Sequence, residues 1–179
     1  MDIRKLEKIT GNPALYWGST GYRTDTVFAV SVIETAAAFE FSLREKHQPY
    51  TREQTMDDEE ISRLNELMKY GHSFGAFHEE ELIGWAVCRK RERNAGLVIE
   101  HLLISEPFRR QNIGKLLIRA VSREARALSC RLVEVETQNT NYPAISFFRK
   151  CGFRFTGINT ERYAGSAETA LLMSFDVMI

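Results

Sequence analysis

The chain has 179 residues, 44% of them hydrophobic and 27% charged, with 24 Lys plus Arg against 24 Asp plus Glu. That is ordinary globular usage at about the length of one domain, and a formal charge of zero excludes a generic nucleic-acid or polyanion binder. The neutrality is nevertheless a cancellation: residues 1–85 hold 9 basic and 15 acidic side chains, net −6, and residues 86–179 hold 15 and 9, net +6.

No uninterrupted apolar run approaches the ~20 residues of a membrane helix, and MDIRKLEKIT lacks the apolar centre of a signal peptide. The expectation is a cytoplasmic protein with no membrane partner. Cys88, Cys130 and Cys151 are odd in number and widely spaced, with no CxxC pair, so neither a disulfide framework nor a metal site is expected. No repeat or Pro/Gly/Ser linker interrupts the chain, which reads as a single domain over residues 1–179.

Along the chain, residues 26–43 are rich in Val, Ile and Phe with Phe39, Phe41 and Leu43 alternating, which predicts two early strands or one long bent one. Residues 56–69 predict a helix with Ile61, Leu64 and Met68 on one face, a capping box from Thr55 to Asp58, and Gly71 as the stop. Residues 73–105 contain three strand-like runs separated by HEEE and RERNAG, an antiparallel meander. After Pro107 the period changes from two to 3.6: Ile113, Leu116, Leu117, Ala120, Val121, Ala125 and Leu128 line one helix face, with Lys115, Arg119, Arg123 and Arg126 opposite. A strand at Arg131 to Thr137, a short helix at Pro143 to Lys150, and strands at Phe153 to Ile158 and Ala170 to Val177 complete a mixed α/β sheet.

The stretch that carries chemistry is IEHLLISEPFRRQNIG, residues 99–114. A buried strand ends near Ser105, a loop gathers Arg109, Arg110 and Gln111, and Gly114 sits where a helix begins. Unpaired backbone N–H groups, the positive end of a helix dipole and guanidinium groups then converge, which suits a pyrophosphate.

With Asn141-Tyr142-Pro143-Ala144-Ile145-Ser146-Phe147-Phe148-Arg149-Lys150-Cys151-Gly152-Phe153 downstream, the chain resembles the GNAT superfamily of acetyl-CoA-dependent N-acetyltransferases. Arg109-Arg110-Gln111-Asn112-Ile113-Gly114 is similar to that family's R/Q-x-x-G-x-G/A loop, with Asn112, which tolerates positive φ, in place of the first glycine. The downstream run resembles its second motif, N-x-x-A-x-x-x-Y-x-x-x-G-F, with Phe148 in place of tyrosine.

The resemblance implies a central, mostly antiparallel twisted sheet with a splayed parallel strand pair and flanking helices. Residues 1–70 would contribute to the acceptor side and residues 71–179 would form the acetyl-CoA core. It also implies that the backbone of Leu102, Leu103 and Ile104 and the loop Arg109, Arg110, Gln111, Asn112, Ile113, Gly114 and Lys115 hold acetyl-CoA, together with Asn141, Ala144 and Phe148, and that no metal takes part. Glu100, on a strand that faces the acetyl group in that family, is a candidate base against an ordinary ion pair, and Glu136 and Glu134 are alternatives; His101 points the other way and reads as a packed histidine. Because Phe148 has no proton to give, Tyr142 or Tyr163 would protonate the leaving thiolate, or the thiolate would leave unassisted.

Finer similarity points to an amine. VETQNTNYPAISFFRKCGFRFTGI, with Tyr163 and Glu168-Thr169-Ala170 beyond it, resembles the streptothricin acetyltransferase group. The acceptor implied is a small cationic amine, to which the acidic half of the chain is complementary, while Arg109 to Arg131 holds seven basic residues and one acid, Glu124, where CoA phosphates would lie. A protein or peptide N-acetyltransferase and a non-catalytic acetyl-CoA-binding module are the alternatives, and a homodimer is left open.

Overall fold

The computed structural model describes residues 1–12, 17–54, 56–93, 95–163 and 165–178. In chain order these form β1 (Asp2–Lys5), β2 (Tyr22–Glu34), β3 (Phe39–Arg52), α1 (Asp58–Met68), β4 (Phe74–His78), β5 (Glu81–Arg91) and β6 (Gly96–Ile104). Then come a 3-10 turn (Glu106–Phe108), α2 (Ile113–Ala127), β7 (Leu132–Gln138), α3 (Tyr142–Lys150), β8 (Arg154–Asn159) and β9 (Ala170–Asp176). The chain divides into two compact units, one of residues 1–20, 53–135 and 174–179, the other of residues 21–52 and 136–173. The mixed α/β class and the three-strand meander stand as expected.

In the first unit the strand order is β1-β4-β5-β6-β7, antiparallel except for β6 and β7. The apolar face of α1 supplies Ile61, Leu64 and Met68 to a core shared with Leu6, Ile9, Trp17, Met56, Trp85 and Val87. Its N-cap is Asp57, whose carboxylate accepts the Glu60 N–H at 2.8 Å, and Thr55 lies outside the described residues. Each such fully buried Leu, Ile or Met contributes about 1.5–3 kcal/mol of transfer free energy. α2 buries Ile113, Leu117, Ile118, Ala120, Val121 and Ala125 and leaves Lys115, Arg119, Arg123 and Arg126 exposed, as its period requires. β1 is an addition to the expected elements: DIRK has a single partly buried residue, and pairing with β4, Ile3 opposite Ala76, makes it a strand.

His101 borders this core through Trp85. Its Nδ1 accepts the Trp85 indole N–H at 2.9 Å, which places any proton of the neutral ring on Nε2, and Trp85 packs on Trp17 with centroids 4.6 Å apart. Burial pushes the imidazole down to about 4, against the attraction of Glu60 and with the repulsion of Arg63. The unfolded chain takes up this proton near 6.5 and the folded one only near 4. The unfolded state therefore binds more protons in that window, and stability present above it is lost as pH falls through it. The gap is worth about 3 kcal/mol. Between pH 7 and pH 4, denaturant titrations should show the parent losing about that much more stability than His101→Gln; parallel curves would refute the assignment.

In the second unit, β2 and β3 form a two-stranded hairpin, and β7, β9 and β8 lie in that order. α3 packs on β2, with Phe28 against Tyr142 and Phe155. The alternation at Phe39 and Phe41 does not mark a core face, since both rings are exposed, as is Ile33 across the hairpin. β3 also runs nine residues past Leu43, through REKHQPYTR, where no apolar signal announces a strand. Pro49 is tolerated because β3 pairs on one side only.

Candidate active site

In the first unit, the parallel ladder pairs Gly96 with Leu132 through Ile99 with Val135, its last registered pair. β6 itself continues beside β5 as far as Ile104 opposite Gly84. Gly84 permits that approach: a Cβ there would meet the Leu103 carbonyl oxygen at 3.0 Å and the Ile104 side chain at 2.7 Å. The backbone of Leu102, Leu103 and Ile104 thus extends beyond the parallel ladder, as a splayed strand pair requires.

The following loop is stitched from both ends. The Ser105 N–H donates to the Ile83 carbonyl at 2.9 Å, and the Glu106 N–H to the Trp17 carbonyl at 2.8 Å. The Glu106 carboxylate accepts the Ser19 N–H at 2.7 Å. Gly18, at φ +77°, leaves no room for a side chain, because a Cβ would fall 2.1 Å from that carboxylate. Arg109 is spent locally: Nε donates to the Ile104 carbonyl at 3.0 Å and Nη2 to the Ser19 carbonyl. Its guanidinium therefore fastens the loop to the end of β6.

Arg110 and Asn112 both adopt the left-handed conformation, at φ 63° and 64°. Asn112 takes the backbone state expected of the glycine that it replaces. Its side chain makes no capping bond, and the first helical bond runs from the Leu116 N–H to the Asn112 carbonyl at 3.2 Å. The N–H groups of Ile113, Gly114 and Lys115 point out of the helix start without intrahelical acceptors. Gln111 donates to the Pro107 carbonyl at 3.2 Å, and the side chains of Arg110, Gln111 and Lys115 are exposed. Donors in this pattern at a helix N-terminus fit a pyrophosphate, which is the group that CoA would present.

The first-unit acids are paired. Glu100 accepts from Arg89 at 2.9 Å (Nε) and 2.7 Å (Nη2), and Glu134 lies 3.7 Å from Arg91.

In the second unit, Asn141 caps α3, its Oδ1 accepting the Ala144 N–H at 3.2 Å, with Pro143 in the first turn. Phe148 is a core residue, 4% exposed, with Phe147 and Phe153 each 5.2 Å from its ring. A hydroxyl placed there without a partner costs about 1–3 kcal/mol. Phe148→Tyr should therefore melt at a lower temperature while still turning over, and complete loss of steady-state activity would overturn this reading of residue 148.

Glu136 and Tyr163 are brought together. Tyr163 donates to Glu136 Oε1 at 3.3 Å, and Arg162 Nε donates to the same oxygen at 3.1 Å. Burial, then the charge of Glu136 and the hydrogen bond to it, pushes the Tyr163 phenol well above its ordinary value, so the hydroxyl keeps its proton.

One constellation was not anticipated as such. Glu168, buried at 6% exposure, accepts from Thr140 at 2.5 Å, Tyr50 at 2.9 Å and Ser166 at 3.5 Å, with the Tyr22 hydroxyl 3.4 Å away, and pairs with Arg52. Burial works to raise this carboxyl, but hydrogen bonds from Thr140, Tyr50 and Arg52 outweigh it and hold it below its ordinary value. Burial pushes the adjoining Tyr22 phenol up to about 12. The network borders a pocket of about 220 Å³ lined by Phe28, Lys46, Gln48, Tyr50 and Asn139 among others. Glu168-Thr169-Ala170 was the only sequence signal for it.

With this geometry in view, similarity to known proteins decides the family. The profile of the acetyltransferase (GNAT) family matches residues 36–153. The chain belongs to the GNAT acetyltransferase family. Among relatives of this GNAT protein, a streptothricin acetyltransferase from Streptomyces lavendulae is 34% identical over 97 residues, 52% of this chain and 51% of that protein. The chain thus matches about half the length of that relative. A streptothricin acetyltransferase from Escherichia coli is 30% identical over 125 residues, 70% of this chain and 67% of that one. Among solved structures, a nourseothricin acetyltransferase aligns over 98% of both chains at 28% identity with a TM-score of 0.75. A Bacillus anthracis protein, provisionally named a streptothricin acetyltransferase and solved with acetyl coenzyme A, aligns over 98% of both chains at 22% identity with a TM-score of 0.73, a likeness of fold. No group of His, Cys, Asp and Glu able to hold a metal ion occurs among the described residues, and none of their helices is long and apolar enough to cross a membrane.

Proposed function

We propose that this GNAT protein transfers an acetyl group from acetyl-CoA directly to a primary amine of a small cationic molecule of the streptothricin type. The observation that carries this reading is the alignment with a nourseothricin acetyltransferase over 98% of both chains. The amides of Ile113, Gly114 and Lys115, with Arg110 and Lys115, would hold the pyrophosphate of acetyl-CoA, and Arg109, Gln111 and Asn112 would shape the loop. The edge of Leu102, Leu103 and Ile104 that turns away from β5 would hydrogen-bond the pantetheine arm and the acetyl carbonyl, where developing negative charge is stabilised. Asn141 would meet the pantetheine arm from the start of α3, with Ala144 leaving room beside it and Phe148 backing that helix.

Transfer requires a neutral amine, so a base takes its proton while the new C–N bond forms and the C–S bond breaks, and the thiolate takes up a proton. Glu136 is the proposed base and Tyr163 the proposed acid, because the two share a hydrogen bond. Glu100 is the second candidate base. Its pairing with Arg89 favours a role in holding β5 and β6 together instead.

A thiol-release assay with acetyl-CoA and a panel of amines, streptothricin included, tests the reading. Release with streptothricin well above release with a peptide α-amine or lysine is expected. A preference for peptides would move the acceptor to proteins, and acetyl-CoA binding with no release from any amine would make the chain a binding module.

A further inference from the structure

Glu168 lies in the part of the sequence that neither the phosphate loop nor the proposed acid and base accounts for. An ionised carboxylate offers about four lone-pair sites. Three donors fill most of them, Thr140 and Tyr50 at Oε1 and Arg52 at Oε2, with the Ser166 hydroxyl farther off at 3.5 Å. The Tyr22 hydroxyl lies 2.7 Å from Thr140 Oγ1, and because Thr140 gives its one proton to Glu168, Tyr22 donates to Thr140. The carboxylate is thus engaged by the fold on both oxygens, and what these partners have in common is their place in the chain. Tyr22 opens β2, Tyr50 and Arg52 close β3, Ser166 precedes Glu168 itself, and Thr140 lies in the turn between β7 and α3. The next residue in that turn is Asn141.

The neighbouring Asn139 is held as fully. Its N–H donates to the Thr169 carbonyl at 2.9 Å and its carbonyl accepts the Phe28 N–H at 2.9 Å. Its Nδ2 donates to the Phe28 carbonyl at 2.8 Å and its Oδ1 accepts the Thr169 N–H at 2.8 Å. Two successive residues immediately before Asn141 are thus fixed by the hairpin on one side and by residues 168–169 on the other. The Thr140 carbonyl then accepts the Tyr142 N–H at 2.9 Å, which starts α3.

We propose that Glu168 is a positioning residue for acetyl-CoA: through Thr140 it ties the β7–α3 turn to both ends of the hairpin and sets the direction in which Asn141 meets the pantetheine arm. This rests on the reading that Asn141 contacts acetyl-CoA. A buried carboxylate held by Arg52, Thr140 and Tyr50 is costly to neutralise, because the guanidinium and the two hydroxyls lose their common acceptor. The consequence falls on cofactor affinity, since the chemistry lies with Glu136 and Tyr163.

The test is steady-state kinetics of the full chain with acetyl-CoA varied at saturating amine. Glu168→Gln and Thr140→Val should each raise KM for acetyl-CoA about tenfold, the loss of ~1.4 kcal/mol of binding, with kcat within about threefold of the parent. Thr140→Ser, which restores the hydroxyl, should bring KM back to within about twofold of the parent. A lower melting temperature with KM unchanged would overturn the proposal and leave Glu168 a stabilising ion pair, and a fall in kcat at constant KM would overturn it as well. Should Glu168→Gln fail to fold, the Val and Ser variants of Thr140 decide. Arg110→Ala in the same assay separates the two levels: if it raises KM and the clasp variants do not, only the clasp is wrong, and if no variant moves KM, the acetyl-CoA site itself is misplaced.

Discussion

Replacing Arg109 and Arg110 together by Ala is expected to weaken acetyl-CoA binding by at least about a hundredfold, since each hydrogen bond to a charged group is worth about 1.5–3 kcal/mol. The two arginines lose this in different ways. Arg110 is exposed and left-handed at φ 63°, two residues before Asn112, whose side chain leaves the start of α2 uncapped. Arg110→Ala should therefore lower affinity with little change in melting temperature. Arg109 donates to the Ile104 and Ser19 carbonyls, so removing it frees the loop from the end of β6 and leaves two acceptors without a partner. Arg109→Ala should lower affinity and melting temperature together. Arg109→Lys should repair little of either, because one ammonium on a flexible stem does not reproduce two bonds from a planar fork. Calorimetric titration with acetyl-CoA beside thermal melts checks both halves. Unchanged affinity in the double variant would remove the loop from the acetyl-CoA site.

The parts of the fold that were legible in the sequence are those whose burial leaves a pattern. Most of α2 could be read from its period because one face packs on β4, β5 and β6 while the other meets water, although Ile118 is buried outside the expected face and Leu116 and Leu128 are only half-buried. The meander was legible for a different reason: β5 is buried without a break from Ile83 to Cys88, which leaves an apolar run bounded by turn residues. β3 was not legible beyond Leu43: it is held by cross-strand hydrogen bonds to β2 and buries almost nothing, so selection for apolar residues leaves no trace. The alternation at Phe39 and Phe41 did mark the start of β3, although both rings are exposed and no core lies behind them. β1 was hidden because its pairing with β4, and not its composition, makes it a strand.

The candidate site divides along the same line. The candidate phosphate loop is contiguous, so its residue types and order carry the proposed chemistry, and Asn112 could be matched to a glycine position because the required property is a single backbone angle. The Glu168 network joins residues 22, 50, 52, 140, 166 and 168, and only the fold brings them within hydrogen-bond reach. Glu100 shows the limit for single positions. A carboxylate on an apolar strand suggests either a base or an ion pair, and the partner that raises the second reading is Arg89, eleven residues earlier and adjacent only through the β5–β6 ladder.

Glu136 and Tyr163 carry the second large expected effect, and their hydrogen bond makes it non-additive. A tyrosine whose phenol is pushed above its ordinary value is a poor donor by itself to a CoA thiolate, whose conjugate acid has a pKa of about 8.5 like a free cysteine. The transfer runs downhill only if the phenol is reprotonated as it gives up its proton. In the proposed relay Glu136, protonated by the amine, would return a proton to the phenolate across the 3.3 Å contact. The amine proton then reaches sulfur in two short moves, and both side chains return to their starting states. Glu136→Gln stops the relay at its first move and should lower kcat by about 10²–10³, within the range for general acid–base catalysis. Tyr163→Phe leaves the base intact and a tolerable leaving group, so about tenfold is expected. The double variant should be no slower than Glu136→Gln, because a broken relay cannot be broken twice. Strictly multiplicative losses would assign the two residues to separate steps. Glu100→Gln belongs in the same series: a larger fall in kcat there than in Glu136→Gln would transfer the base to β6, whereas a loss of stability with kcat kept would leave Glu100 as the partner of Arg89.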